Sequence, residues 1–170
     1  MISAIKTWMF NKSLRKHQNY QRKQTFTGVN KCDTICLLSN GTIERTREAT
    51  ESYQAKLGAL NKKVDVLYFF DAKSEVEEGY SRQSVKWNGI PQHENVDVIL
   101  AQEYDVMMFL NPTMPNHFRF LTTLCNARFK IGPNIDEAED LFDLMIDIED
   151  LGNTQLLIKN INQQLKLLSS

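Results

Sequence analysis

A short apolar run near the middle of the chain limits the possible folds more than any other feature of this sequence. Residues 106–110 read Val-Met-Met-Phe-Leu, with no polar residue between them, and Asn111-Pro112 follows directly. A strand that helices cover on both faces needs apolar side chains at every position. Proline cannot donate to a β-ladder and disfavours helix in the residue before it, so the strand should end there. The run predicts a central strand with Met108 in the core.

Other apolar runs of similar length alternate with helical stretches along the chain. Residues 33–40, 63–71, 128–132 and 141–148 resemble buried strands, and Thr42 is placed to cap the helix that follows the first of them. A length of 170 residues is typical of one domain. This order predicts an α/β fold, namely a three-layer Rossmann-like sandwich with a mostly parallel sheet of about five strands. A basic N-terminal helix precedes it, which divides the chain into an arm (1–30) and a single domain (31–170).

The charge of the chain is distributed unevenly, although the formal net charge is only −1. Residues 1–31 contain seven Lys and Arg residues and no acidic residue, whereas the remaining 139 residues carry the other 13 basic and all 21 acidic side chains. Such asymmetry is typical of chains with a polyanionic partner.

The basic arm is therefore a candidate for binding an anionic partner. Its aromatic residues lie among the cations, which suits phosphate contacts combined with base stacking. Among such partners, RNA or a ribonucleoprotein is favoured over an anionic membrane surface. The alternative without a partner, to which the pattern gives at least as much weight, is a solvated helix docked on the acidic body. No particular protein partner is indicated. The candidate residues are Lys6, Lys12, Arg15, Lys16, Tyr20, Arg22 and Lys23.

The sequence carries no sign of membrane insertion or secretion. No stretch reaches the 18 apolar residues that a transmembrane helix needs, and the first residues lack the pattern of a signal peptide. Cys32 and Cys36 are four residues apart on a predicted strand, too far for a disulfide at about 3.3 Å per residue. We therefore expect reduced, buried thiols in a cytoplasmic protein.

A ligand of a parallel sheet binds beyond the carboxyl ends of the strands. Polar residues at the predicted strand ends are the crevice candidates: Ser39, Asn40, Thr42, Asp71, Asn111 and Asn134. The turn after the first strand holds one glycine, Gly41, so it matches no nucleotide-binding motif, and we predict no cofactor.

Catalytic and metal-binding signals are weak. His93 and Asp97 lie one helical turn apart, but two ligands do not form a closed metal site. His117 follows Pro115 near a predicted helix start, from which it could reach the crevice, but a surface or capping role is expected. The acidic stretch 136–150 matches no calcium-binding loop, so a solvated rim is expected. We predict neither a catalytic residue nor a metal site.

Two family resemblances accompany these motifs. "YDVMMFL", a helix and then "NARFKIGP" resemble the N-terminal half of heptosyltransferase-type glycosyltransferases, although their second domain, which holds the nucleotide sugar, is not in this sequence. The elements "KWNGIP", "YDVMMFL", "NARFKIG" and "FDLMIDIED" are similar to an uncharacterised family of Bacteroidetes proteins with one Rossmann-like domain. The second resemblance implies the fold and no activity.

Our leading hypothesis is a non-catalytic interaction protein that contacts its anionic partner through the arm. We then expect removal of residues 1–30 to leave the stability of the body nearly unchanged. The alternative is a small-ligand-binding or enzymatic domain related to a glycosyltransferase half-domain.

Overall fold

The computed structural model describes residues 2–17 and 32–168. Its five helices are α1 (Ile2–His17), α2 (Glu44–Ala59), α3 (Glu94–Leu100), α4 (Asn116–Leu124) and α5 (Thr154–Leu167). Its six strands are β1 (Thr34–Asn40), β2 (Lys63–Phe70), β3 (Tyr80–Ser81), β4 (Glu103–Phe109), β5 (Asn126–Pro133) and β6 (Leu144–Ile146). Short 3-10 turns follow β3 and β5.

All six strands lie in one parallel sheet, in the order β3-β2-β1-β4-β5-β6. This is the strand order of doubly wound Rossmann sheets. The predicted α/β sandwich is confirmed. The sheet has one strand more than the expected five because the two-residue β3 pairs with the end of β2.

Strand β4 lies in the middle of the sheet and is covered on both faces. Met107 and Phe109 pack in the core on the side of α3 and α4. Val106 and Met108 pack on the other side, with α2 and α5. Met108 is 1% exposed, so its predicted burial is confirmed. Successive side chains of the strand enter opposite cores, which is why the run shows no polar alternation.

Helix α1 packs against the body through two apolar side chains. Phe10 and Leu14 are buried in a small third cluster with Phe120 of α4. This contact contradicts the expectation that the arm can be removed without loss of stability, because Phe120 would then face water.

Two further local predictions need correction. Thr42 does not cap α2, because Ile43 occupies the N-cap position and no side chain caps this helix. The apolar stretch 141–148 forms only the three-residue strand β6. No helix in the described residues is long and apolar enough to cross a membrane.

Candidate functional site

A cavity of about 570 Å³ opens at the carboxyl edge of the sheet, between the ends of β1 and β4. These strands are neighbours at the point where the strand order reverses, which is where doubly wound sheets bind ligands. Side chains from four strand ends and the start of α4 line the cavity, and its volume is typical of a small-molecule site. Its polar lining residues are Asn40, Thr42, Asp71, Arg82, Asn111, Thr113 and His117.

Four of the six predicted crevice residues line this one cavity: Asn40, Thr42, Asp71 and Asn111. The other two lie elsewhere. Ser39 is fully buried under α2, where its hydroxyl lies 2.8 Å from the Thr50 hydroxyl. Asn134 is exposed and donates to Asp147 at 2.7 Å.

The turn after β1 is locked to the end of β2. Asn40 Oδ1 accepts the Thr42 N–H at 2.9 Å, and Thr42 Oγ1 accepts the Asp71 N–H at 2.6 Å. A side chain at Gly41 would lie 2.4 Å from the Phe70 ring, so any larger residue there requires this ring to move. Thr42 therefore orders the crevice wall, a different role from the predicted helix cap.

The next polar pair extends this wall outward. The Asp71 carboxylate lies 3.4 Å from the Arg82 guanidinium, and both side chains are more than half exposed. An exposed pair of this kind stabilises the fold little. It does present one acceptor and one fork of donors at the mouth of the cavity.

Asn111 carries the unusual polar atom of the crevice. It is 2% exposed, and its Nδ2 donates to the Thr113 carbonyl at 2.6 Å. Its Oδ1 is buried and accepts no hydrogen bond within the described residues. Buried polar atoms are nearly always satisfied, and an unsatisfied one costs about 1–3 kcal/mol. An acceptor left open in a cavity wall is matched by a ligand that brings an N–H or O–H group.

His117 lies deeper in the same cavity and is buried, contrary to the expected surface or capping role. Its Nδ1 lies 2.7 Å from the hydroxyl of the fully buried Tyr80, and its ring is 4.2 Å from that of Phe69, centroid to centroid. Burial lowers the pKa of His117 to about 4, so the ring is neutral at pH 7.

The Tyr80 hydroxyl decides which ring nitrogen of His117 carries the hydrogen. Burial keeps the pKa of Tyr80 well above its usual value, so the phenol retains its proton and needs an acceptor. His117 Nδ1 is that acceptor, which leaves the hydrogen on Nε2. The second ring nitrogen makes no hydrogen bond in the described part of the chain, so His117 offers the cavity a neutral donor.

Sequence patterns indicate His117 only weakly, and Tyr80 and Arg82 not at all. Pro115 signals a helix start from which His117 could reach the crevice, but the pattern favours the surface or capping role that the structure contradicts. Tyr80 and Arg82 stand in a polar stretch without periodicity, and only the pairing of β3 with β2 brings them to the crevice.

The predicted anion-binding residues are described only in part. Lys12 and Arg15 are exposed on α1, and the Lys12 ammonium lies 5.0 Å from the centre of the Trp8 ring. Trp8 itself is 61% exposed. Three of the predicted residues and two side chains lie outside the described residues: Tyr20, Arg22 and Lys23, and the side chains of Lys6 and Lys16.

The histidine and acidic residues considered as metal ligands have local roles. His93 Nδ1 accepts the Asn95 N–H at 3.2 Å and so caps α3. Asp140 pairs with Arg119 at 2.9 Å, and Asp143 accepts the Lys130 N–H at 2.7 Å. Across the described residues, no group of three or more such side chains converges on a metal position.

Comparisons with known proteins identify a family without an assigned activity. No curated protein and no solved structure matches the chain. The resemblance to glycosyltransferases therefore gains no support from them. One family matches residues 5–168, almost the whole chain, and it is described as a family of unknown function. The chain belongs to this family, DUF6913.

Proposed function

We propose that the protein binds a small polar molecule in the crevice between the ends of β1 and β4. The observation that carries this proposal is the buried and unpartnered Oδ1 of Asn111 in the wall of the cavity. A ligand that donates an N–H or O–H to this atom removes the cost of leaving it unsatisfied. The proposal does not require catalysis, and it assigns no residue a catalytic role.

The other polar groups define what such a ligand looks like. Asp71 at the mouth accepts hydrogen bonds, whereas Arg82 and the Nε2–H of His117 donate them. Phe69 and Phe118 supply an apolar wall beside the histidine. A flat ring that carries hydroxyl or amino groups fits this combination, and nucleosides are the first class to test. An acidic residue directly after β2 is where Rossmann sheets hold ribose hydroxyls.

The test is calorimetric titration of the full chain with adenosine, uridine, inorganic phosphate and a uridine diphosphate sugar. We expect one of the nucleoside compounds to bind, and Asn111→Ala and Asp71→Asn to weaken that binding at least tenfold. Asn134→Ala is the matched control, because this asparagine also follows a strand but lies outside the cavity. The proposal fails if no nucleoside compound binds, or if Asn111→Ala binds as tightly as the unaltered chain.

The relation to a glycosyltransferase half-domain stays a hypothesis within this proposal. Even if a nucleotide sugar binds, we expect no hydrolysis or transfer, because the one-glycine turn offers no nucleotide-phosphate motif. Turnover that disappears with Asn40→Ala or Asn111→Ala would contradict this expectation. The buried thiols of Cys32, Cys36 and Cys125 favour a reducing, cytoplasmic location for the protein.

Binding of RNA by the basic arm is a second candidate function. The observation in its favour is the exposed Trp8 ring with the Lys12 ammonium over it, a pair that suits a stacked base and its phosphate. The competing partner, an anionic membrane surface, would instead require the apolar side chains of Ile5 and Trp8.

A salt titration separates these partners. If five cations of the arm contact single-stranded RNA, the log–log slope of affinity against salt should be about −3.5, at roughly −0.7 per contact. The informative variant replaces Lys12, Arg15, Lys16, Arg22 and Lys23 by Gln and retains Phe10 and Leu14, so that α1 stays docked. An unchanged slope, or binding only to anionic vesicles, would overturn the RNA hypothesis.

A further inference from the structure

The outer edge of β2 is largely uncovered. On its inner side β2 pairs with β1 from Lys63 to Phe69. On its outer side β3 pairs only with Phe69 and Phe70. Within the described residues, no strand therefore runs beside residues 63–68 on this side. Such an edge presents a row of backbone donors and acceptors to any chain that can pair with it.

The hydrogen bonds show which backbone groups face outward. Gly41 N–H donates to the Phe69 carbonyl and Lys63 N–H donates to the Asp33 carbonyl, so the odd-numbered residues of β2 turn toward β1. The even-numbered residues then turn away from it. Val64 agrees, because its carbonyl accepts the side chain of Gln54 at 3.3 Å. By the same alternation, the N–H and C=O of Val66 turn to the outer side, where β3 does not extend.

A groove follows this edge. It has a volume of about 530 Å³, with Glu51 and Gln54 of α2 on one side, and Val98 of α3 and Gln102 just after this helix on the other. Val98 is an exposed apolar residue. Residues 64–68 span about 13 Å at roughly 3.3 Å per residue, so the floor accepts a segment of about five residues.

One end of the groove is fixed by the loop before β3. Gly79 has a φ of +95°, and a side chain there would lie 2.1 Å from the Tyr68 carbonyl oxygen. The Asn95 side chain donates to the Gly79 carbonyl at 2.8 Å and to that of Glu77 at 3.2 Å. This loop is therefore tied to α3, and the groove has a defined end.

A buried hydroxyl in the groove has no partner. Tyr68 is 6% exposed, and its hydroxyl makes no hydrogen bond within the described residues. Burial raises the pKa of Tyr68 to about 12, with a smaller contribution from Glu51 and Glu78. The hydroxyl therefore keeps its proton and remains an unused donor beside the groove.

The groove is acidic. Four of its lining residues carry carboxylates and none carries a positive charge: the acids are Glu51, Asp65, Glu77 and Glu78. Lys63 lies at the start of the strand, with its ammonium 2.9 Å from Gln102 Oε1 and 3.9 Å from Asp65. A segment that adds to this edge is favoured by Lys or Arg side chains.

We propose that the groove binds an extended, basic segment of a partner protein, which adds as a strand to the open edge of β2. The main chain of the segment pairs with the outward groups of Val64 and Val66. Its basic side chains meet the carboxylates of α2 and of the loop before β3. This site lies at the sheet edge and does not depend on the crevice ligand.

The test selects peptides from a phage-displayed library of random linear peptides on the immobilised full chain. We expect the selected peptides to carry Lys or Arg at alternate positions and to lack proline. Two synthetic copies of a selected peptide are then compared, which differ in methylation register: one is methylated on the backbone nitrogens of its odd-numbered residues and the other on those of its even-numbered residues. One copy should bind at least tenfold more weakly than the unmethylated peptide, and the other should keep its affinity. Peptides without basic residues, or equal losses in both registers, would overturn the proposal.

Variants of the protein complete the test. Val66→Pro removes an N–H that the folded sheet does not use and should weaken peptide binding at least tenfold. Glu77→Lys with Glu78→Lys should do the same without altering the backbone, which covers the case in which the proline variant does not fold. The matched control is Glu139→Lys with Glu149→Lys, two exposed acids outside the groove. A dimer of this chain that Val66→Pro disrupts would assign the edge to a second copy and overturn the proposal.

Discussion

The crevice and the groove each contain one residue whose side chain holds a buried polar atom without a hydrogen-bond partner in the described residues. These atoms are Asn111 Oδ1 and the Tyr68 hydroxyl, and each lies in the wall of a cavity. Each such atom costs about 1–3 kcal/mol while it is unsatisfied. Met108 represents the opposite case, because it packs among buried apolar side chains and its sulfur accepts a hydrogen bond from the Tyr53 hydroxyl at 3.7 Å.

Replacement of Met108 by Ala should destabilise the protein by about 2–5 kcal/mol, the range for emptying a packed core site. Met145→Ala is the control, since Met145 lies on β6 and is exposed. Urea unfolding of both variants measures the difference. A loss below about half a kcal/mol for Met108→Ala would mean that β4 is not the centre of the core.

His117 predicts a specific dependence of stability on pH. Its pKa falls from 6.5 to about 4 on folding because burial disfavours the charged ring. The unfolded chain therefore binds more protons between these values, and stability is full above pH 6.5 and declines as the pH falls toward 4. The shift corresponds to about 3 kcal/mol.

Urea unfolding at several pH values between 7 and 4.5 checks this dependence. His117→Gln should flatten the decline relative to the unaltered chain, whereas His93→Gln, at the half-buried N-cap of α3, should keep it. Identical pH profiles for the unaltered chain and His117→Gln would show that the ring is not buried as a neutral group.

Helices and strands in this protein are held by contacts that their own sequences do not reveal. Lys130 of β5 is buried, and its ammonium donates to the carbonyls of Thr122 and Thr123 at the end of α4. A basic group there satisfies carbonyls that the helix leaves open and interacts well with the helix dipole. The acidic body does not by itself explain the docking of α1, because its buried contact with α4 is apolar.

The docking of α1 predicts that its removal harms the body. Phe10→Ala should lower stability by about 3–5 kcal/mol, because Phe10 is 2% exposed and packs on Phe120. Trp8→Ala is the matched control, since this ring is mostly exposed and should change stability little. Thermal unfolding compares the two variants, and equal melting temperatures would show that α1 does not depend on this contact.

The whole molecule should show a gradient of protection across the sheet. β1 and β4 lie between other strands and between helical layers, so their amides should exchange with the slowest rates. At the open edge the pattern should alternate, with Val66 N–H exchanging rapidly and Leu67 N–H slowly. Hydrogen exchange followed by nuclear magnetic resonance measures both rates. Slow exchange at Val66 would mean that another segment already covers the edge.

The sequence by itself determined the layered fold and the position of its centre. Runs such as residues 106–110 are apolar at every position only when both faces are buried, and this local property is readable without the structure. The same runs locate the strand ends, and this suffices to predict Asn40, Thr42, Asp71 and Asn111 as crevice residues.

Which of the predicted residues lie together in the crevice, and which other residues join them, depends on contacts between distant parts of the chain. Ser39 and Asn134 satisfy the same sequence rule as Asn111, but one turns under α2 and the other lies at a different part of the edge. His117 enters the crevice because α4 packs its first turn against β3, a contact between distant parts of the chain. The open edge of β2 arises because β3 is too short to cover it, and the length of a strand depends on its neighbours as well as on its own residues.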